Sequence, residues 1–359
     1  FWDNRLYLDF TYYKTDSRNQ ILKLATTAAS GYTSQVRNAG HIRNRGYEIQ
    51  LGAVPIQTSK GFRWNLDLNY GANSSKVVKL DDEGLITSYQ LYSSGIQILA
   101  SVGEAYGTLF GTSYVRDANG NVVVDANGLP KISTTNKTLG KFTPDWTGGI
   151  SNTFSYRSLS LSFLIDASVG GSIFSNTNKT GKYTGVLANT LSGRDAEHGG
   201  LWYYTDAMGN NVRLSESPSY SVSSDGLYYA QVNGQSTRVY QDGIMVEGVT
   251  ESGSKNEEVV SAEKYYHRIY SIAEANVYDA SYVKLREVAL SYRLPRLWTQ
   301  KLHLQEASVT LTGRNLWTIY KSVPNIDPES ALTTGNAQGV EAYSLPTTRS
   351  FGVNLSVKF

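Results

Sequence analysis

The sequence contains no cysteine. Disulfides, thiolate metal sites and cysteine nucleophiles are excluded together. The compartment stays open, because a bacterial envelope protein need not use disulfides. Charge is also scarce: 18% of the 359 residues are Asp, Glu, Lys or Arg, against roughly 25% in soluble domains. Neither sign dominates. The 33 Lys and Arg against 31 Asp and Glu leave a formal net charge of +2, which argues against a nucleic-acid binder. Mean hydropathy is −0.33 and no window approaches 18 uninterrupted apolar residues, so no membrane-spanning helix is expected. There is no G-x-S-x-G elbow, no P-loop and no G-x-G-x-x-G after a strand. The chain opens Phe1-Trp2-Asp3-Asn4, with neither Met nor a basic-then-apolar leader, and is expected to be a piece of a longer product.

What is abundant is tyrosine, with 26 residues, and alternation. From Phe351 to Phe359 the residues Phe351, Val353, Leu355, Val357 and Phe359 fall on one face, with Gly352, Asn354, Ser356 and Lys358 on the other. Strand side chains alternate sides, so this segment has one apolar and one polar face. The same period recurs in Leu6, Leu8, Phe10 and Tyr12, and in Tyr47, Ile49, Leu51 and Ala53. It returns in Phe62, Trp64, Leu66, Leu68 and Tyr70, and in Val309 and Leu311. In Leu159, Leu161, Phe163, Ile165, Ala167 and Val169, Leu164 is the one exception.

A soluble sandwich and a membrane barrel both use this period. Three features favour the barrel. The strands are about ten residues long, the length of a tilted bilayer-spanning strand, where sandwich strands run to about five or six. Aromatics such as Tyr12, Tyr13, Phe62, Trp64, Tyr70, Tyr156, Tyr292, Phe351 and Phe359 sit at strand ends, where interfacial girdles belong. The connections come in two lengths: short at 55–60, 156–158 and 294–304, long at 14–41, 116–145, 171–278 and 317–348. Short turns and long loops mark the two ends of an outer-membrane barrel.

The predicted fold is therefore all-β, a transmembrane antiparallel up-and-down barrel of about ten strands: 5–13, 42–54, 61–71, one within 85–99, 104–115, 146–156, 158–170, 280–293, 305–315 and 349–359. The strand within 74–103 is required by parity alone. In 280–293 the phase slips from Val283 and Leu285 to Val288, Leu290 and Tyr292, which predicts a bulge near Arg286–Glu287. Ten open strands would leave unpaired edges in lipid, so the remaining wall must come from elsewhere.

Several segments resemble the C-terminal part of SusC/RagA-like TonB-dependent transporters of Bacteroidetes outer membranes. The most specific runs from Tyr278-Asp279-Ala280-Ser281-Tyr282-Val283-Lys284-Leu285-Arg286-Glu287 to Tyr292-Arg293-Leu294-Pro295. Gly313-Arg314-Asn315-Leu316, Asp327-Pro328-Glu329 and the ending from Pro346-Thr347-Thr348-Arg349 to Phe359 follow. Asn44-Arg45-Gly46-Tyr47-Glu48 and Gly103-Glu104-Ala105-Tyr106-Gly107 are also similar to that family. The resemblance implies a 22-stranded barrel filled by an N-terminal plug. Residues 1–359 would be its C-terminal part, with the plug and the TonB-contacting segment outside this sequence. It implies TonB-dependent import of an oligomeric nutrient, glycan or oligopeptide, with a SusD-like surface lipoprotein as partner. It implies no enzyme activity and no cofactor, an outer-membrane location, long loops outside the cell and a periplasmic C-terminus. Two other readings stay open: a barrel-anchored adhesin or structural component of an envelope complex, and a secreted carbohydrate-binding protein.

Phe351, Val353, Leu355, Val357 and Phe359 look like the last-strand signal that barrel-assembly machinery reads. Asp117-Ala118-Asn119-Gly120-Asn121 and Asp125-Ala126-Asn127-Gly128 look at first like calcium loops. Val122 stands where an EF-hand needs Gly, so tight hairpin turns are the better reading. His41, His198, His267 and His303 have no metal-ligand spacing and are expected to be solvated; no metal site is predicted. Asp81-Asp82 and Glu257-Glu258 point opposite ways on extended chain and make poor acid/base pairs. The region 171–278, expected to be a long extracellular loop, concentrates aromatics. Trp202, Tyr203, Tyr204, Tyr228 and Tyr229 are candidates for substrate or partner contact, since aromatic faces stack on sugars and peptide side chains. The alternative is that they form the small core that folds the loop.

Overall fold

The structure, a computed structural model, describes residues 3, 5–25, 29, 31, 32, 34–301 and 303–359. Eight strands form one meandering antiparallel sheet in which each strand pairs with the next. They are β1 (Leu6–Ala25), β2 (Ser34–Gln57), β3 (Phe62–Lys79) and β4 (Trp146–Tyr156), then β5 (Leu159–Val169), β6 (Tyr282–Arg293), β7 (Glu306–Lys321) and β8 (Ser350–Lys358).

Register turns the alternation of each strand into a continuous belt. Leu8 lies opposite Leu51, Leu51 opposite Leu68, Leu68 opposite Ile150 and Ile150 opposite Ile165. Leu161 then faces Leu290, Leu290 faces Leu311 and Leu311 faces Val353. A one-residue slip anywhere would move a whole strand's apolar set to the polar face. The belt is uncovered: Leu8 is 54%, Leu311 51% and Val353 74% exposed. A contiguous apolar surface of this extent calls for an apolar surrounding. Aromatics rim it. Phe154 stacks on Phe62, Trp64 and Phe163 near one edge, and Tyr12 with Tyr47 and Tyr70 with Trp146 mark the other. From Phe62 to Tyr70 the chain advances roughly 26 Å at the usual strand rise, close to the apolar band of about 25 Å of membrane barrels. The amide of Asn152, which shares the belt, is satisfied there by the Trp64 indole at 3.1 Å.

The wall has eight strands rather than about ten. β3 pairs directly with β4, so neither the strand sought within 85–99 nor 104–115 belongs to it. Those residues join a separate sheet of Ser88–Ser93, Gln97–Ser101, Tyr106–Gly111 and Lys137–Lys141. Their apolar side chains face one another: Ile98 and Leu109 are fully buried. Parity fixes the direction in which wall strands must run, but not which segments are wall strands. With both strands removed from the wall, the parity difficulty disappears.

The expected loop 14–41 is mostly strand. β1 and β2 stay paired beyond the aromatic rim up to Ala25 opposite Ser34. Its stretch from Lys14 to Gln20 is polar on both faces, so it carries no period-two signal. His41, expected to be solvated, is buried in it, with Nε2 2.5 Å from Asp16 Oδ1, and Arg43 Nε donates to the same oxygen at 2.9 Å.

Three short connections lie at one end of the sheet. Residues 58–61 close around the hydrogen bond from Thr58 N to Phe62 O at 2.8 Å. Arg157 and Ser158 make a two-residue turn in which Arg157 takes φ +54°, the primed geometry that matches strand twist. The segment 294–305 carries a short helix, α3 (Arg296–Lys301). At the opposite end stand three insertions, 80–145, 170–281 and 322–349. The insertions share cores. Ile96, Ile98 and Leu109 from the first, Phe174 and Ala273 from the second and Val340 from the third form one buried cluster. Ser172–Ser175 pairs antiparallel with Val277–Asp279 and parallel with Val340–Glu341. The three insertions therefore fold as one body above the wall.

Candidate site in the loop body and its latch to the wall

The 170–281 insertion contains two nine-residue helices. The first, α1 (Asn176–Thr184), starts at Ser175, whose hydroxyl accepts from Asn178 N, and stops at Gly185 in the left-handed conformation. The second, α2 (Ala262–Tyr270), is capped by Ser261. Asp117, Asp125 and Asp206 each accept backbone N–H groups two and four residues on. In each, a Gly three residues on donates to the Asp carbonyl. The Asp-Ala-Asn-Gly segments are thus tight turns, as their Asn-Gly content predicted. Among the described residues no group of His, Asp or Glu is placed to hold a metal ion.

The phase slip in β6 falls where it was expected. The ladder to β5 shifts between Leu285 and Glu287, leaving Arg286 as the extra residue. The bulge puts Lys284, Arg286 and Glu287 on the polar face while Leu285 and Val288 stay in the apolar belt. On the polar face the charges meet the 322–349 insertion. Lys284 Nζ donates to Asp327 Oδ1 at 2.6 Å and to Glu329 Oε2 at 2.5 Å. Arg286 bonds Glu329 through one nitrogen, and its Nε lies 2.7 Å from Asp166 Oδ1 of β5. The hydroxyl of Tyr282 donates to Glu329 at 2.9 Å. Thr347 caps Asp327 through both N–H and hydroxyl. The side chain of Lys284 is 3% exposed and that of Asp327 7%. Burial works against ionising Asp327, but the hydrogen bonds from Lys284 and Thr347 override it and hold its carboxyl at about 2. Glu329 is likewise drawn down by Arg286 and Lys284 against the cost of burial. Five charged side chains thus fasten the third insertion across the polar face of the wall.

The five aromatic candidates lie together in a small sheet, but largely inward. Trp202 and Tyr203 are buried. Trp202 packs with Ala230 and Val239, against which half-buried Tyr204 and Tyr228 close. Tyr203 stacks on Tyr240 at 5.0 Å and donates to Asp242 at 3.2 Å. Tyr229 is half-buried. These rings build the core of their sheet, with Tyr220 beside Trp202 at its exposed edge. Phe351, Val353, Leu355 and Val357 stand in β8 opposite Gly313, Leu311, Val309 and Ala307, and Phe359 is 83% exposed. Sequence reasoning assigned no role to Lys284, Asp327 and Glu329. The signal was present in the charges interrupting an apolar strand and in the Asp-Pro-Glu segment.

Eight meandering strands with an uncovered apolar belt and all large insertions at one end define a segment of a transmembrane β-barrel. No helix among the described residues is long and apolar enough to cross a membrane. The chain is similar in sequence to TonB-dependent receptors over its whole length. It is 26% identical to TonB-dependent receptor P3 and 24% identical to TonB-dependent receptor P26, both of Formosa agariphila, and it covers 33% of each. All of it superposes on 34% of a chain of the RagAB peptide importer in the closed-closed state, with a TM-score of 0.62 at 19% identity. For the open-open state the TM-score is 0.61 at 17% identity, covering 33% of that chain. No protein-family profile matches the chain. The chain spans about a third of the length of the curated relatives it matches. β1 and β8 each have one strand partner within it, as a barrel segment requires.

Proposed function

We propose that this chain forms part of the wall and the outer loop body of a TonB-dependent importer of oligomeric nutrients, glycan or oligopeptide. The short turns lie in the periplasm and the insertions outside the cell. The polar face lines the lumen. A SusD-like surface lipoprotein covers the loop body and captures cargo with it. The TonB complex acts through a segment outside this sequence, and barrel-assembly machinery reads the β8 residues that end at Phe359. The observation that carries this reading is the latch. Three insertions join in one body, and five charges hold that body over the polar face, where a pore mouth needs a shaped and fixed entrance.

The test uses cells that express the full-length protein. Cell-associated glycan or peptide oligomers are separated into surface-bound and internalised fractions, with and without a protonophore. Internalisation that stops when the proton gradient collapses, while surface binding persists, supports import. Surface binding with no internalisation under either condition overturns it in favour of an adhesin.

A further inference from the structure

A cleft of about 690 Å³ opens in the loop body between α1, α2 and the strand Gln235–Ile244. That volume lies within the range of small-molecule sites. Lys182 of α1 lines it and is itself 9% exposed. Its ammonium has only neutral partners, Ala275 O at 2.8 Å and Asn276 Oδ1 at 3.3 Å. No carboxylate of the described residues pairs with it, whereas the other buried lysine, Lys284, has two. An ammonium carries three donors, so one remains for a further acceptor. Burial lowers the Lys182 pKa to about 8, which leaves it mostly cationic at neutral pH.

The surroundings add donors. Tyr114 and Tyr265 also line the cleft, and neither hydroxyl makes a hydrogen bond among the described residues. Tyr278 lies behind, its ring centroid 5.2 Å from Lys182 Nζ and its buried hydroxyl without a partner. Leu201 and Met245 give the cleft an apolar flank, and Glu247 is the one carboxylate in its lining. A buried cation without a counter-ion is costly. Here it stands among phenol donors beside a cavity with room for two or three residues or sugar rings.

We infer that this cleft is a binding site for a carboxylate-bearing ligand, seated with its carboxylate against Lys182 and the Tyr114 and Tyr265 hydroxyls. The site stands on its own geometry and does not depend on the transport reading. A peptide α-carboxylate and a uronic acid offer the same chemistry, and the test separates them.

Full-length protein purified in detergent is titrated calorimetrically with trialanine and with trialanine amide. A galacturonate trisaccharide and its methyl ester form the second pair. The expected result is at least tenfold tighter binding of the charged member in one pair, which also identifies the source. Lys182→Met should abolish that preference. Tyr265→Phe, which removes a hydroxyl with no partner among the described residues, should weaken binding several-fold at unchanged thermal stability, and so guards against a folding defect in Lys182→Met. Equal affinity for charged and neutral members, binding of neither pair, or a preference that survives Lys182→Met overturns the proposal.

Discussion

Lys284 and Asp327 form a buried ion pair of 2.6 Å between a wall strand and an insertion more than forty residues downstream. Each also has a second charged or polar partner, Glu329 for Lys284 and Thr347 for Asp327. Removing one member of such a pair leaves an uncompensated charge, at a cost of about 3–5 kcal/mol. Lys284→Met should therefore release residues 325–347 and leave the wall intact. Hydrogen exchange should show faster labelling there and unchanged protection in β4 and β5. Unchanged labelling would show that the latch does not hold the insertion.

The same pair makes the latch acid-sensitive. The Asp327 carboxyl is held at about 2, below its ordinary value of 3.8. A depressed carboxylate contributes stability that is fully present above its unfolded value and is lost as pH falls through the folded one. The insertion should stay fastened at pH 7 and pH 5 and loosen between about pH 4 and pH 2. Proteolysis within 325–347 by an acid-active protease measures this. Asp327→Asn should flatten the Asp327 component of the profile, and an unchanged profile in that variant would assign the sensitivity elsewhere.

The apolar belt predicts a difference between neighbours in one strand. Arginine at Leu161, Phe163 or Leu355 should cost roughly 2–4 kcal/mol near the membrane midplane. Arginine at Ser160 or Ser162, on the polar face, should be mild. Folding titrations of the full-length barrel into lipid vesicles read the difference, and equal effects on the two sets would reverse the assignment of faces.

The turn Asp206–Asn210 projects from the loop body, with Met208 87% exposed. An epitope inserted near Gly209 should be detected on intact cells, or once the covering lipoprotein is removed. Detection only after the outer membrane is permeabilised would invert the topology.

Phe359 directly follows β8 with its side chain uncovered. Its deletion should lower the amount of folded protein in the outer membrane while the surviving molecules import normally. Normal surface levels with lost uptake would place its role in transport instead.

Sequence alone determined what depends on near neighbours. Period two is a local property of extended chain, so Leu66, Leu68, Phe163 and Leu355 declared their common face without any partner in view. The bulge at Arg286 was equally legible, because an inserted residue shifts the phase of everything after it. Tight turns such as Asp117–Asn121 declared themselves through residues that bond their own backbone. Only the tertiary structure decided which alternating segments belong to the wall. Ile98 and Leu109 lie on strands, as wall residues do, but their partners are Phe174, Ala273 and Val340, scattered over more than 160 residues. The polar ribbon around Asp16 and His41 was invisible for the opposite reason: strand pairing there is held by backbone bonds and ion pairs that leave no apolar pattern. The latch and the Lys182 cleft exist only because separate insertions converge. No local rule places Lys284 beside Asp327, or leaves Lys182 without a carboxylate, since both are products of which distant segments the shared cores bring together.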